Sequence, residues 1–492
     1  MLHELTDSTI CAQATPVGNG AISVIRISGK DAVEAVSRIF LPRRGVSLKE
    51  MKGYSICFGS IQKAEGGVLD DAIVSVFRAP HSYTGEDMVE ISCHASKYIV
   101  SEVLSRLVSL GCEYAAPGEF TKRAFLNGKM DLTQAEAVAD IIASETEAAH
   151  KIAMQQMKGG FSRELARMRD ELLHIVSLME LELDFSEEEV EFADRAKLTS
   201  LLDESTDHIS QLISSFKLGN AIKNGVPVAI VGATNTGKST LLNALVGEDR
   251  AIVSAIAGTT RDTIEDTINI GGVLFRFIDT AGIRRTMETI EMIGIERTYF
   301  KIKQASVILL MLDYTRQDDF EESLRNLSNN LNGNGQTVVI LLNKIDEKPM
   351  VVTSLFEGRA PESITPEENI TLVIDTISKQ AAAAGLHPAA IFPISAKKQK
   401  GLDDVRTILL NTQKDIHLNA DAVLISNMRH YTSLKEAYDS LIHASVSLGE
   451  KIPTDLIAQD IRAAIYSLGT IVGEISTDEV LGNIFKNFCI GK

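Results

Sequence analysis

The chain has 492 residues, too many for one hydrophobic core, so about two to four domains are expected. It is 45% hydrophobic and 23% charged, and no apolar run approaches the ~20 residues that span a bilayer. A net charge of −17 excludes a general nucleic-acid coat, because phosphate contacts need clustered Lys and Arg, and leaves room only for a local basic patch.

The N-terminus lacks a basic stretch followed by an apolar core, so no secretory signal is expected. The cysteines Cys11, Cys57, Cys93, Cys112 and Cys489 are dispersed, with no Cys-x-x-Cys pair and no zinc spacing, which suits a reducing cytoplasm.

Residues 1–128 read as mixed α+β, with strands over 21–27, 54–61, 72–77 and 88–92 and a helix over 96–110 ended by Gly111. In residues 129–218 apolar positions recur at helical spacing, and Leu172, Ile175, Val176, Met179 and Leu183 form one face. The acidic run 187–191 reads as a solvated connection between helices. Residues 219–415 alternate strand and helix, which implies a mostly parallel sheet covered on both faces. One exception is a hairpin of 263–270 and 273–279 around Gly271 and Gly272. Residues 416–492 return to helical spacing, so one helical domain interrupted by an inserted nucleotide domain is expected.

The strongest motif is GATNTGKS at 232–239, between an apolar strand at 226–231 and a helix. Glycine there lets backbone N–H groups curl around a β-phosphate, with Asn235, Thr236, Gly237 and Thr240 part of the cradle. Lys238 supplies charge for the β- and γ-phosphates and Ser239 a hydroxyl for Mg²⁺. DTAG follows at 279–282: Asp279 can reach the Mg²⁺ shell, and the Gly282 amide, beside Thr280 and Ala281, can sense a γ-phosphate. NKID at 343–346 follows a strand at 338–342. Asp346 there can accept the guanine N1–H and N2–H₂ pair, which adenine lacks, and Asn343 and Lys344 complete the loop. Ser395, Ala396 and Lys397 follow a strand at 391–394 and can close over the base. All these motifs fall, in order, at strand carboxyl ends, where open α/β sheets bind ligands. The nucleotide is therefore read as GTP.

Between them lies Gly258, Thr259, Thr260, Arg261 and Asp262. Thr260 is the second Mg²⁺ hydroxyl, in a loop that orders around the γ-phosphate. Arg261 reads either as an arginine finger in cis or, preferably, as a surface arginine or one serving another domain. Where Ras-like enzymes carry a water-orienting Gln after the D-x-x-G motif, this chain has Ile283. Hydrolysis then needs an external arginine, a monovalent cation or a carboxylate further along, and Glu288 and Glu291 are both available.

From end to end the chain resembles the MnmE (TrmE) family of tRNA-modification GTPases. The resemblance rests on AQATP at 12–16, RISG at 26–29, YTGED at 83–87, PGEF at 117–120, RAFLNGK at 123–129, DLTQAE at 131–136, GTTRD at 258–262 and FCIGK at 488–492. It implies an α+β folate-binding and dimerisation domain (1–128). A helical domain in two parts (129–218 and 416–492) would follow, with a Ras-like P-loop GTPase domain (219–415) between them. It further implies a K⁺-dependent GTPase, activated when two nucleotide domains meet, with K⁺ in place of an arginine finger. Asn235, Ser254, Ile256 and Thr259 would be the K⁺ ligands, in a loop that includes Ala255 and Ala257. Of the two carboxylates the resemblance selects Glu291 as catalytic, beside Lys238 and Thr260.

The folate, a 5-formyl- or methylene-tetrahydrofolate, would be held by Arg26, Glu90, Lys129 and Lys492. Its pteridine offers donors to Glu90, and its glutamate tail suits the cations. The implied partners are a second copy, an FAD-dependent MnmG-type protein and tRNA, with no membrane. The implied reaction places an aminomethyl or carboxymethylaminomethyl group on C5 of the wobble uridine.

The chain departs from the family pattern in three places. Ser254 stands where Thr is common, Ala95-Ser96 replace a Gly pair after His94, and there is an apparent insertion at 350–368. Cys489 has no neighbouring base to activate a thiolate, and a supportive role is preferred over nucleophile. Two rivals remain: a ribosome-assembly GTPase, which would lack the N-terminal segment and the CIGK end, and a folate-dependent one-carbon enzyme regulated by an attached GTPase.

Overall fold

The computed structural model describes residues 8–18, 20–184, 195–247, 266–278, 302–331, 335–347, 365–412, 423–450, 452–475, 478–486 and 488–491. Two compact units are present: Met1–Ala143 with Ala153–Ile213 and Met428–Lys492, and Ser144–Ile152 with Ser214–Asn427.

The first unit opens with strands β1 (Ile10–Gln13), β2 (Ile22–Ser28), β3 (Phe40–Pro42), β4 (Ser55–Gln62), β5 (Val68–Phe77), β6 (Met88–His94) and β7 (Glu113–Tyr114). They form one sheet in the order β3-β4-β5-β6-β2-β1-β7, antiparallel except where β7 joins β1. Helices α1 (Ala32–Ser37) and α2 (Lys97–Ser109) cover one face, where Ile25, Ile27, Val74, Val76, Val89 and Ile91 meet Val36, Val103 and Leu107. Side chains alternate along a strand, so Arg26, Ser75, Glu90 and Ser92 share the opposite face. Helix α3 (Glu119–Leu126) closes the β1 end of that face, with Phe120 packed on Ile10 and Ala12. At the β3–β5 end Leu41, Ile56, Phe58 and Ile73 remain exposed. The four expected strands and the expected helix are β2, β4, β5, β6 and α2. Strands β1, β3 and β7, of 4, 3 and 2 residues, are too short to carry a readable alternation.

Helices α4 (Leu132–Ala143), α5 (Glu147–Met157), α6 (Gly160–Asp184) and α7 (Arg195–Asn224) follow. On α6 the expected face holds, with Leu172, Ile175, Val176 and Met179 buried. The Leu183 side chain and the acidic run 187–191 lie outside the described residues. Helix α7 continues past 218, where the sequence reading ended the first helical segment, because residues 219–224 carry no Pro or Gly-Pro break to stop it.

The second unit is built on β8 (Val226–Val231), helix α8 (Lys238–Gly247), β9 (Asp266–Ile270), β10 (Val273–Phe277), β11 (Val307–Asp313), α9 (Phe320–Ser328), β12 (Thr337–Asn343), α10 (Pro366–Ala383), β13 (Ala390–Pro393) and α11 (Leu402–Asn411). The sheet order is β13-β12-β11-β8-β10-β9, parallel except for the expected hairpin of β9 and β10. β11 is buried at every position, as a continuous apolar run in a parallel sheet should be. Leu241 and Leu245 of α8 and Val405 and Leu409 of α11 fill one face, and Leu324 of α9 and Ile377 of α10 the other. Thr365 and Glu368 form a capping box that starts α10, with Pro366 in the first turn.

The first unit resumes with α12 (Met428–Gly449), α13 (Thr454–Val472) and α14 (Asp478–Phe485). Arg429 and His430, in the first turn of α12, grip the buried carboxylate of Glu136 from α4. Arg429 Nε donates to Oε1 at 2.9 Å, and His430 Nε2 lies 2.7 Å from Oε2. Arg429 also donates to the carbonyls of Thr470 and Ile471 at the end of α13. On α14, Leu481 and Phe485 pack on Leu132 and Ala135, which directs the chain end toward the sheet of the same unit. Among the described residues no helix is long and apolar enough to cross a membrane.

Candidate nucleotide-binding site

Between β8 and α8 the chain must turn sharply, and the glycines make this possible. Gly232 (φ +149°) and Gly237 (φ +99°) have conformations closed to other residues. A Cβ at Gly232 would sit 2.4 Å from the Met311 carbonyl oxygen, and one at Gly237 2.3 Å from Asn343 Nδ2. Lys238 Nζ folds back to donate to the carbonyls of Gly232 (2.8 Å) and Ala233 (2.7 Å), so its charge lies over the loop. Ser239 and the exposed Thr240 follow in the first turn of α8. Asn235 is exposed on the loop with φ +64°. The curled amides, the lysine and the helix end are the donor set a polyphosphate requires, and the Ser239 hydroxyl is of the type that binds Mg²⁺.

Asn343 ties this loop to the rest of the site. Its Nδ2 donates to the Thr236 carbonyl at 2.7 Å, and its Oδ1 accepts from Ala396 N–H at 2.9 Å. Ser395 Oγ donates to Asp346 Oδ1 at 2.6 Å, and this bond holds the Asp346 carboxyl below its ordinary range, aided by Lys398 and Lys397. An ionised carboxylate is acceptor-only, which matches a purine edge that presents two donors. The structure thus brings Asn235, Thr236, Gly237, Lys238, Ser239, Asn343, Lys344, Asp346, Ser395, Ala396 and Lys397 to one edge of the sheet. Residues 254–261, 279–283, Glu288 and Glu291 lie outside the described residues, as does Lys492.

One residue at this edge escaped the sequence reading. Asp313, at the end of β11, accepts from Lys344 Nζ at 2.6 Å. Its only sequence signal is an acid closing an apolar run, and the register that sets it opposite Asn343 is seen in the structure. Burial opposes charge at Asp313, but Lys344 and Thr315 outweigh it and hold the carboxyl below its usual value. A cavity of about 440 Å³ lies between α10 and β13, lined by Ile374, Ser378, Leu386 and His387; it shares no residue with these motifs.

In the first unit Arg26 pairs with Glu90 (Nε to Oε1, 2.9 Å) and donates from Nη1 to the Gly491 carbonyl at 3.3 Å. The guanidinium also lies 5.3 Å from the Tyr83 ring centre and 5.6 Å from that of Phe120. Burial raises the Tyr83 pKa. Lys129 Nζ donates to the Pro80 carbonyl at 3.0 Å, and its stem packs on Gly85 in the 80–87 segment that carries Tyr83. That segment is anchored by Arg123, which is 2% exposed and bonds to Glu86, Glu119 and the Ser8 carbonyl. The Cys489 thiol is exposed, and its backbone carbonyl accepts from Gly118 N–H at 3.4 Å. At the departure after His94, Ala95 N–H donates to the Ala21 carbonyl and Ser96 precedes α2.

A parallel sheet with a phosphate-cradling loop, a lysine over it and a guanine-type carboxylate loop at the same edge defines a P-loop GTPase. Residues 132–489 match the model of the MnmE helical domain, and residues 9–129 that of the GTP-binding protein TrmE N-terminus. The tRNA modification GTPase MnmE of Parabacteroides distasonis is 49% identical over 488 residues, covering 99% of this chain and 100% of that protein. Those of Bacteroides thetaiotaomicron (48%; 99% and 100% covered) and Flavobacterium johnsoniae (46%; 99% and 100% covered) are similar over the same extent. The chain belongs to the MnmE family of tRNA modification GTPases. Among solved structures, a GTP-binding protein from Sulfolobus solfataricus in complex with GDP is 17% identical, with a TM-score of 0.27 over 64% of this chain and 76% of that one. A likeness of that size carries no argument.

Proposed function

We propose that the chain hydrolyses GTP in the cytoplasm as a Mg²⁺- and K⁺-dependent homodimer. With an FAD-dependent MnmG-type partner, it takes part in C5 modification of the wobble uridine of certain tRNAs. A 5-formyl- or methylene-tetrahydrofolate is the one-carbon cofactor. The division is 1–128 for folate binding and dimerisation, 129–218 and 416–492 for the helical domain, and 219–415 for the GTPase domain. Lys238 and the amides of 235–240 hold the phosphates. Ser239 and Thr260 hold Mg²⁺, and Asp279, Thr280, Ala281 and Gly282 follow the γ-phosphate. Asn343, Lys344, Asp346, Ser395, Ala396 and Lys397 hold the base. Asn235, Ser254, Ile256 and Thr259 hold K⁺ within the loop 254–260, and Glu291 orients the water. Arg261 is a surface arginine or serves another domain, and Cys489 supports the chain end.

The observation that carries the folate part is the meeting of Arg26, Glu90 and Gly491 on one sheet face. A cation, a carboxylate and the penultimate residue of the chain converge there, beside the Tyr83 ring. That set suits a ligand with a donor-rich heterocycle and a carboxylate tail, and brings Lys492 and Lys129 into the same proposal. The exposed apolar end of this face, with Leu41, Ile56, Phe58 and Ile73, supports a second copy as its cover.

Calorimetric titration with 5-formyltetrahydrofolate tests it. Saturable binding to the wild type that is lost in Arg26→Ala and Glu90→Gln, with GDP affinity unchanged, supports the reading. No binding to the wild type removes folate from the reading, and equal binding to all three moves the folate site away from Arg26 and Glu90.

A further inference from the structure

The carboxyl ends of β11 and β12 stand side by side, with Asp313 opposite Asn343. The next residue, Lys344, has φ +68°, a left-handed conformation that costs a non-glycine residue on the order of 1 kcal/mol and must be held by its surroundings. Asn343 holds it from the backbone side through Thr236 and Ala396. Asp313 holds it from the side-chain side, with Lys344 Nζ donating to Oδ2.

The Asp313 carboxylate is fixed before it meets that ammonium. Its Oδ1 accepts from the Thr315 N–H at 2.9 Å and the Thr315 hydroxyl at 2.7 Å. The Asp313 side chain is 5% exposed and that of Lys344 26%. Exposed ion pairs contribute little, because two mobile side chains must be ordered to form them. Here one end is already immobile and nearly buried. Asp313 also joins Ala233, Thr234 and Thr236 of the phosphate loop in lining a cavity of about 10 Å³, room for about one water. It therefore sits between the loop that cradles phosphate and the loop assigned to the base.

We infer that Asp313 is a positioning residue for the guanine base. It draws the Lys344 ammonium back toward β11 and lays the lysine's methylene stem as one wall of the slot whose edge Asp346 reads. The inference rests on the proposed role of 343–346 in base binding. A purine needs a flat apolar wall as well as polar contacts at its edge, and a tethered head holds a lysine stem in one place as that wall. Without the carboxylate, the ammonium turns to water and the stem leaves with it. A pair that merely ties β11 to β12 would not make this difference, since the parallel ladder already joins them over Val307–Asp313.

The test is a double-mutant cycle on the full chain, read as the equilibrium Kd and dissociation rate of a fluorescent GDP. Asp313→Asn keeps an oxygen for Thr315 and loses the charge. Lys344→Met keeps an apolar stem and loses the ammonium. Asp313→Asn is expected to raise Kd about tenfold, chiefly through faster dissociation, as loss of a charge-assisted hydrogen bond would. In the Lys344→Met background the same change is expected to add nothing, because its effect passes through the ammonium. An unchanged Kd in Asp313→Asn, or losses that add in the double variant, overturns the inference.

Should Asp313→Asn fail to fold, Thr315→Val frees the same carboxylate and is expected to give a smaller rise that also vanishes with Lys344→Met; an additive rise would again overturn it. Asp346→Asn separates the inference from the reading beneath it. An amide donor there should shift preference toward xanthosine diphosphate, whose base has a carbonyl where guanine has an amino group. If no shift follows, the base loop itself is misassigned. If the shift occurs and the cycle is additive, only the role of Asp313 fails.

Discussion

Arg26 and Gly491, 465 residues apart in sequence, share a hydrogen bond of 3.3 Å between Nη1 and the glycine carbonyl. The close of the chain thereby joins the Arg26–Glu90 pair on the sheet of the N-terminal segment. The approach depends on glycine. Gly491 has φ +94°, and a Cβ on it would stand 2.5 Å from the Gln13 carbonyl and 2.8 Å from Ala14 Cα. Gly491→Val should therefore lift the tail from β1. With strain of about 1–3 kcal/mol the proposed folate affinity should fall by roughly one to two decades. Titration with 5-formyltetrahydrofolate checks this, and an unchanged affinity would show that the tail plays no part in binding.

The GTPase reaction should depend on a monovalent cation. Ile283 cannot orient water, and the proposed K⁺ site includes Asn235, which is exposed on the phosphate loop with φ +64°. Removing one electrostatic stabiliser of a transition state typically costs about 10²–10³ in rate. Hydrolysis in KCl should exceed that in NaCl at equal ionic strength by about that order, and Asn235→Ala should abolish the difference. Equal rates in both salts would sink the cation mechanism and turn attention to an arginine from a partner.

Phe58 and Ile73 are directly paired across β4 and β5, both are 45% exposed, and Ile56 and Leu41 extend the patch. If a second copy covers them, a charge placed there meets a buried apolar surface and has no partner. Ile73→Asp should convert a dimer to a monomer in sedimentation velocity at micromolar concentration, because an unpaired buried charge costs several kcal/mol. A variant that still sediments as a dimer would move the interface elsewhere.

The parts legible in sequence are those where local pattern and chemistry coincide. The run at 226–231, the all-buried strand ending at Asp313 and the Gly271-Gly272 hairpin each announce themselves by period or turn chemistry. The phosphate loop needs glycines at fixed places, so it too was readable. What was not legible depends on distance. Nothing near Asp313 in sequence points to Lys344, and nothing near Arg26 points to Gly491; parallel register and the packing of α14 on Leu132 bring them together. The 2–4-residue strands were invisible for another reason: so short a segment takes its extended form from the sheet it joins.

The Glu136 cluster gives the last prediction, on acid stability. Burial alone would raise the Glu136 pKa, but His430 and then Arg429 outweigh it and bring the carboxyl to about 2 from an ordinary 4.5. A folded pKa below the unfolded one means that the contribution is complete above about pH 4.5 and is lost as pH falls toward 2. A displacement of this size corresponds to about 3 kcal/mol. Glu136→Gln keeps the shape but leaves Arg429 and His430 facing an uncharged amide, so it should destabilise the helical part by about 3–5 kcal/mol at pH 7. The decisive comparison is the urea midpoint of wild type and variant between pH 7 and pH 3. The gap should narrow as pH falls below 4.5, because only the wild type has a carboxylate to lose. A gap that stays constant to pH 3 would mean that the amide costs stability through shape, and that the charge of Glu136 contributes nothing.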